Sequence, residues 1–404
     1  MFKDLEKLID KNFEQQVEFL KKLVQTKSAN PYPNPQDSKP EDPIELAVAK
    51  TIKSELEKFG IKTEFVGVSG GRPNVVAEIK GQGNRTLIFN GHMDTVMPSR
   101  SYTVNPFGGE IRNGKLYGVG AADMKASLAS FVYLAAALVK SKPKLKGKVI
   151  FTFVVDEESG ACSKYGTAYL LEKGLKADVA IVAEPGTTSI NNGHRGGYRF
   201  KLTTFGEPAH TGLKNWEQGK IGKNAIIEMQ KATKGLENLA IPFKESATFP
   251  QRRPVFTFPT MIKGGSAINV VPDRCEAFGD VRLMPGNTKR QIRTLIEGKL
   301  NKIKGLKYKI EDLLFVPAFE VAKNEKIIKV LLKAHKETFG SKTPVVGAGP
   351  WNDAWMFLER GIPTVCGYGP DGGNIHGADE FVDLESMKKV TKVFAGTVLE
   401  FFNP

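Results

Sequence analysis

Imidazoles and carboxylates recur in this chain at the ends of short apolar runs. His92 and Asp94 stand in Gly91-His92-Met93-Asp94-Thr95-Val96, directly after the run Thr86–Asn90. Asp123 closes Gly118-Val119-Gly120-Ala121-Ala122-Asp123, just ahead of the apolar stretch Ala126–Val139. Asp156-Glu157-Glu158-Ser159-Gly160 follows Val149–Val155, and Glu184-Pro185 follows Val179–Ala183. His376 comes after Gly369-Pro370-Asp371-Gly372-Gly373. Consecutive acids behind a buried strand repel one another unless cations or protons compensate them. Two histidines with several carboxylates, and no thiolates among them, suit zinc, cobalt or manganese. Residues two apart on an extended segment share a side, so Asp94 can accept a hydrogen bond from the outer nitrogen of His92 and fix its tautomer. Each string also has a plain reading: Asp123 as a first-turn helix acid, the acids as a solvated turn, His92 and Asp94 as incidental polar residues. Their convergence favours chemistry.

The elements that would position these groups alternate. Apolar strands at Asn74–Ile79, Thr86–Asn90, Val149–Val155 and Val179–Ala183 are separated by helical stretches, which predicts a mostly parallel sheet covered by helices. In such sheets functional groups gather outside the carboxyl ends of the strands. The pattern resumes with a helix at Glu325–Phe339, a strand at Pro363–Gly367 and a closing helix at Asp383–Phe402. Between them the order changes. A strand at Arg199–Phe205, a helix at Lys220–Leu236, strands at Val255–Ile262 and Arg274–Leu283, a helix at Thr288–Ile303 and a strand at Leu306–Ile310 give β-α-β-β-α-β, the order of a ferredoxin-like α+β unit. The predicted fold class is therefore α/β, with a catalytic domain at 1–192 and 314–404 and an inserted domain at 193–313.

In order and spacing, Gly91–Val96, Gly118–Lys125, Asp156–Gly160, Ala183-Glu184-Pro185 and Gly369-Pro370…His376…Glu380 resemble the motifs of a co-catalytic metallopeptidase family. That family includes acetylornithine deacetylase, succinyl-diaminopimelate desuccinylase, aminoacylase and glutamate carboxypeptidase. The resemblance implies two divalent metal ions, zinc first, bridged by Asp123. His92 and Glu184 would complete one ligand set, and Glu158 and His376 the other. Asp94 would orient His92, and Glu157 would be the general base. In the inserted domain, Glu207-Pro208-Ala209-His210-Thr211-Gly212 resembles the lid histidine that reaches the partner subunit's site in dimeric relatives, where His210 would steady a developing oxyanion. Arg282 and Asn269 match substrate-side positions, Arg282 for a carboxylate. Asp353 fits the Asp-Ala pair that follows a small-residue loop in the family and that shapes the substrate pocket, but Trp351 and Trp355 bring bulk to that loop. The implied substrate is an N-acetyl or N-succinyl amino acid, or a short peptide, and the implied assembly is a homodimer through the lid.

Composition agrees with an enzyme of ordinary make-up. The 404 residues are 41% hydrophobic and 25% charged, enough for two domains. The formal charge of +14 raises a nucleic-acid reading, but no helix-turn-helix, zinc-finger or aromatic RNA-binding pattern accompanies it. A lysine-rich solvated surface is expected instead, with neither nucleic acid nor membrane as partner. Met1–Ser28 reads as an amphipathic helix rather than a targeting signal, and Ala126–Val139 as a buried helix too short to span a bilayer. Cys162, Cys275 and Cys366 are scattered and odd in number, so buried thiols in a cytoplasmic, reducing compartment are expected. His335 is expected to be exposed on a helix, and His194 to be a hinge residue.

Overall fold

The computed structural model describes residues 2–32, 37–160 and 164–403. Cys162, and Met1 at the start of the expected first helix, lie outside the described residues. The chain forms two compact units, one of Met1–His194 with Glu320–Pro404 and one of Arg195–Phe319.

The first unit is built on a six-stranded sheet in the order Thr63–Val66, Asn74–Lys80, Gly147–Val154, Arg85–His92, Val179–Val182 and Thr364–Val365. The first two pairings are antiparallel and the remaining three parallel, so the sheet is mixed but mostly parallel. Its central strands are buried except at Arg85 and Lys148 near their starts, as expected where helices cover both faces. Phe89, Phe131, Phe151 and Phe394 pack ring against ring between the sheet and the helices Ala126–Ser141 and Leu384–Phe402. The stretch Ala121–Ser141 is, at 21 residues, long and apolar enough to cross a membrane, but it includes the non-helical Asp123 and Met124, and the regular helix is the 16 residues Ala126–Ser141. Its window is 89% buried within the protein, which accounts for the apolarity. The expected N-terminal helix is two helices, Phe2–Lys11 and Phe13–Gln25, broken at Asn12.

The second unit is a four-stranded antiparallel sheet, ordered Val255–Gly264, Arg274–Leu283, Gly196–Phe205, Lys307–Val316. Helices Ala225–Leu236 and Lys289–Leu300 bury Met229, Leu236, Ile292 and Ile296 in its own core. Asn224 and Thr288 cap them by accepting backbone N–H bonds. This is the ferredoxin-like order. The last strand runs past the expected boundary at residue 313, because it pairs with the central strand as far as Val316↔Gly197.

Candidate metal centre

Three adjacent parallel strands deliver the acids and one imidazole to the same sheet edge. His92 ends its strand opposite Val154, and Asn90 pairs with Val182, so Glu157, Glu158 and Glu184 emerge beside it just past the strand ends. Asp123 comes from a tight turn, Ala121–Lys125, that precedes the buried helix. Asp123 and Met124 have non-helical backbone angles there, so Asp123 is no simple first-turn acid.

Asp123 offers its two oxygens to two different rings. Oδ1 lies 3.1 Å from His92 Nε2, and Oδ2 lies 3.3 Å from His376 Nε2. His376 Nε2 is also 3.3 Å from Glu158 Oε2. Ligand atoms of His92, Asp123 and Glu184 lie within 4.8 Å of one another, and those of Asp123, Glu158 and His376 do likewise. Tetrahedral ligands held about 2.0–2.2 Å from an ion stand roughly 3.3–3.5 Å apart, which these spacings approach. Among the described residues Glu158 Oε1 is buried with no hydrogen-bond partner, a costly arrangement that a cation would relieve. The donor set therefore fits two divalent ions sharing Asp123.

Electrostatics point the same way. Burial, reinforced by Glu184, Asp353 and Glu158, pushes the Glu157 carboxyl well up. Burial together with Asp123 and Glu158 does the same to Glu184. Hydrogen bonds to Asp123 and Glu158 push His376 up to about 11. Burial disfavours an ionised Asp123, but His376 and His92 outweigh it and hold that carboxyl below the usual range. In the absence of cations this cluster retains protons, the expected behaviour of acids that cations normally compensate.

The support behind the centre departs from expectation at Asp94. His92 Nδ1 lies 2.9 Å from the Asp94 carbonyl oxygen and 3.6 Å from its carboxylate Oδ1. The carboxylate instead accepts the backbone N–H of Glu157 and of Glu158, at 3.1 and 3.0 Å, and the Asn30 amide at 2.9 Å. The Asp94 carbonyl is thus the ring's nearer partner, with the Asp94 carboxylate facing the same nitrogen at longer range. Arg72, 1% exposed, forks onto Glu45 and pairs with Asp156, and Asp156 N donates to Glu45 Oε1. Glu380 accepts the N–H groups of Gly120, Ala122 and Asp123 at 2.9–3.0 Å. Burial raises its carboxyl to about 7, although those three donors pull the other way. Sequence reasoning gave Glu45, Arg72, Asn30 and Glu380 no role; an arginine opening the apolar strand region at Arg72-Pro73-Asn74 was the available signal.

A cavity of about 520 Å³ opens onto the centre, lined by Asp123, Glu157, Glu158, Glu184, His376 and the loop through Trp351. Asp353, expected at the substrate, does not line it. It is 3% exposed and accepts from Thr167 Oγ1, while its neighbour Asn352 forms the wall. Trp355 packs on the helix Ala354–Glu359 against the sheet's second apolar cluster. Cys366, at the cavity, and Cys275, in the second unit, are buried free thiols.

In the second unit, His210 is exposed on a short strand paired with Val270–Val271, and its Nε2 lies 3.2 Å from Asn269 Nδ2. Arg282 donates to Asp280 Oδ1 at 2.8 Å. It lies opposite Gly197, whereas the His210 strand follows Phe205, which lies opposite Arg274. Eight residues of extended strand place Arg282 about 26 Å from that end.

Comparison with known proteins agrees with this geometry. Residues 88–400 match Peptidase family M20/M25/M40. N-formyl-4-amino-5-aminomethyl-2-methylpyrimidine deformylase of Halalkalibacterium halodurans is 28% identical over 423 residues, covering 97% of this chain and 96% of that protein. Succinyl-diaminopimelate desuccinylase of Thioalkalivibrio sulfidiphilus is 30% identical over 330 residues, covering 78% and 84%. The metallo-carboxypeptidase Sso-CP2 of Sulfolobus solfataricus has the same fold, with a TM-score of 0.76 at 19% identity over 96% of this chain and 99% of that one. A sheet-end cluster of this kind on this fold defines a metallo-hydrolase of C–N bonds. The chain belongs to the M20/M25/M40 peptidase family.

Proposed function

We propose that this chain hydrolyses the amide of an N-acyl amino acid, using two divalent ions held by His92, Asp123 and Glu184 and by Asp123, Glu158 and His376. The observation that carries the reading is Asp123, whose two oxygens face the two imidazoles of separate donor groups. Zinc is the first candidate, with cobalt and manganese compatible with the same imidazole and carboxylate donors. Two such ions would polarise the scissile carbonyl and acidify water at the centre. Glu157 belongs to neither donor group among the described residues, yet it lines the same cavity. It accepts a proton from the attacking water and returns it to the departing nitrogen as the C–N bond breaks. Asp94 holds the Glu157 and Glu158 backbone in place.

The relatives favour acyl transfer to water over peptide cleavage, since the names of both sequence relatives describe removal of an acyl group from nitrogen. A carboxypeptidase or dipeptidase using the same residues is the second reading. The roles proposed for His210 at an oxyanion, and for Arg282 and Asn269 at a substrate carboxylate, rest on the motif resemblance. A homodimer through the second unit is supported by its edge strand Val255–Gly264, where Ile262 is 54% exposed and Gly264, two residues on and on the same face, lies against the partly exposed Ile226. A cytoplasmic setting is proposed from the scattered, unpaired thiols.

The test is amine release by metal-loaded protein from a panel of N-acetyl and N-succinyl amino acids and dipeptides, with EDTA-treated and Glu157→Ala controls. Chelator-sensitive release from one N-acyl class, lost by several powers of ten in Glu157→Ala with metal content intact, is expected. Release from dipeptides alone transfers the protein to the second reading. Full activity in Glu157→Ala would place the base elsewhere.

A further inference from the structure

The loop after strand Val345–Ala348 makes one wall of the cavity, and its indole is tied down. Trp351 Nε1 donates to the carbonyl of Gly160 at 2.9 Å, so the ring's edge is fixed to the turn that carries Glu157 and Glu158. The next residue is equally held. Asn352 Nδ2 donates to the Cys366 carbonyl at 2.6 Å, and its Oδ1 accepts Ala354 N–H at 3.0 Å. Ile375, 42% exposed, lines the same cavity. Among the described residues, the charged groups of the lining are four carboxylates and His376, with no lysine or arginine. Two divalent ions match four carboxylates in charge, so the loaded centre has no surplus positive charge for a second anionic group. What the wall offers is a flat, hydrogen-bonded indole and an aliphatic neighbour.

We propose that Trp351 is a specificity-determining residue, and that this wall selects a substrate in which one group flanking the scissile amide is uncharged and aromatic or apolar, in preference to a carboxylate-terminated acyl chain. The inference rests on the amide-hydrolase reading and adds a substrate class to it. An aromatic group placed against the indole gains area burial and ring-to-ring contact. A succinyl terminus against the same wall is desolvated with no lysine or arginine among the described lining residues to meet it.

Kinetics on the metal-loaded full chain test it in two matched series. One varies the acyl side, as N-acetyl-, N-benzoyl- and N-succinyl-alanine. The other varies the amine side, as N-acetylalanine and N-acetylphenylalanine. In at least one series the aromatic member should have the higher kcat/KM, and the N-succinyl compound should be the poorest. Trp351→Ala should lower the aromatic-to-acetyl ratio of that series by about 10- to 100-fold, with Trp351→Phe recovering most of it. An N-succinyl preference, or a ratio untouched by Trp351→Ala, overturns the proposal. If no amide is turned over, the hydrolase reading fails separately, and binding of benzyl alcohol, an uncharged aromatic, then decides. Saturable quenching of indole fluorescence by benzyl alcohol, absent with succinate and lost in Trp351→Phe, upholds the wall's selectivity, and no quenching by benzyl alcohol overturns it.

Discussion

Asp123 is the residue on which both donor groups depend, because its oxygens are divided between His92 and His376. Replacing it should therefore remove both ions, whereas replacing a residue that belongs to one group should remove one. Metal analysis after gel filtration is expected to give about two ions per chain in the wild type, about one in Glu184→Ala and close to none in Asp123→Ala. Equal loss in both variants would show that the ions do not share Asp123. The residues of this centre were legible because each lies in its own string at the end of an apolar run. The support of His92 was not. Two-residue spacing says which side of a strand a carboxylate takes, but not that the next turn brings the carbonyl nearer the ring, leaving Asp94 for the Glu157 and Glu158 N–H groups. Asp94→Asn should consequently act through the Glu157 turn, lowering kcat by about 10- to 100-fold with metal retained. Metal loss as severe as in Asp123→Ala would return Asp94 to the role of orienting His92.

Among the elements, the turn Ala121–Lys125 depends on a residue some 250 positions away in sequence. Glu380 takes three of its N–H groups, and no local pattern around Asp123 announces that. Glu380→Ala leaves buried donors unpaired, and denaturant unfolding should show a loss on the order of 3 kcal/mol, with metal affinity weakened about 10- to 100-fold. Unchanged affinity would mean that the turn holds its shape unaided. The helix Lys326–Phe339 shows the reverse case, where periodicity gave the element but not the burial. His335 was expected at the surface, yet it is 3% exposed, stacked on Phe339 and 2.7 Å from the Tyr368 hydroxyl. Burial lowers its pKa from the ordinary 6.5, while the unfolded chain still takes the proton near that value. Its contribution to stability is therefore present above about pH 6.5 and is lost as pH falls through the lowered folded value. Thermal unfolding of His335→Gln against wild type should remove that part of the acid-side decline, and coincident pH profiles would refute the assignment.

At the scale of the whole molecule, the insertion was legible because the order of elements changes from alternating to β-α-β-β-α-β. Each unit also closes its own core, so the pattern survives in both. The proposed assembly was less legible, since single exposed apolar residues are ordinary and only the structure puts Ile262 on an edge strand, on the face that carries Gly264 and Ile226. Light scattering should give twice the chain mass for the wild type and a shift toward one chain in Ile262→Lys, while a monomeric wild type would exclude the dimer. The net charge of +14 carries no comparable consequence at the centre, where the described residues of the cavity wall include neither lysine nor arginine. The bond from the Trp351 indole to Gly160 has a consequence of another kind. On the proposed roles, it fastens the surface that sorts molecules to the turn that processes them. Any lineage exploring new substrates through residues 347–352 would then disturb its own catalytic speed, and changes of diet would come with slower turnover until a second substitution re-anchored the turn.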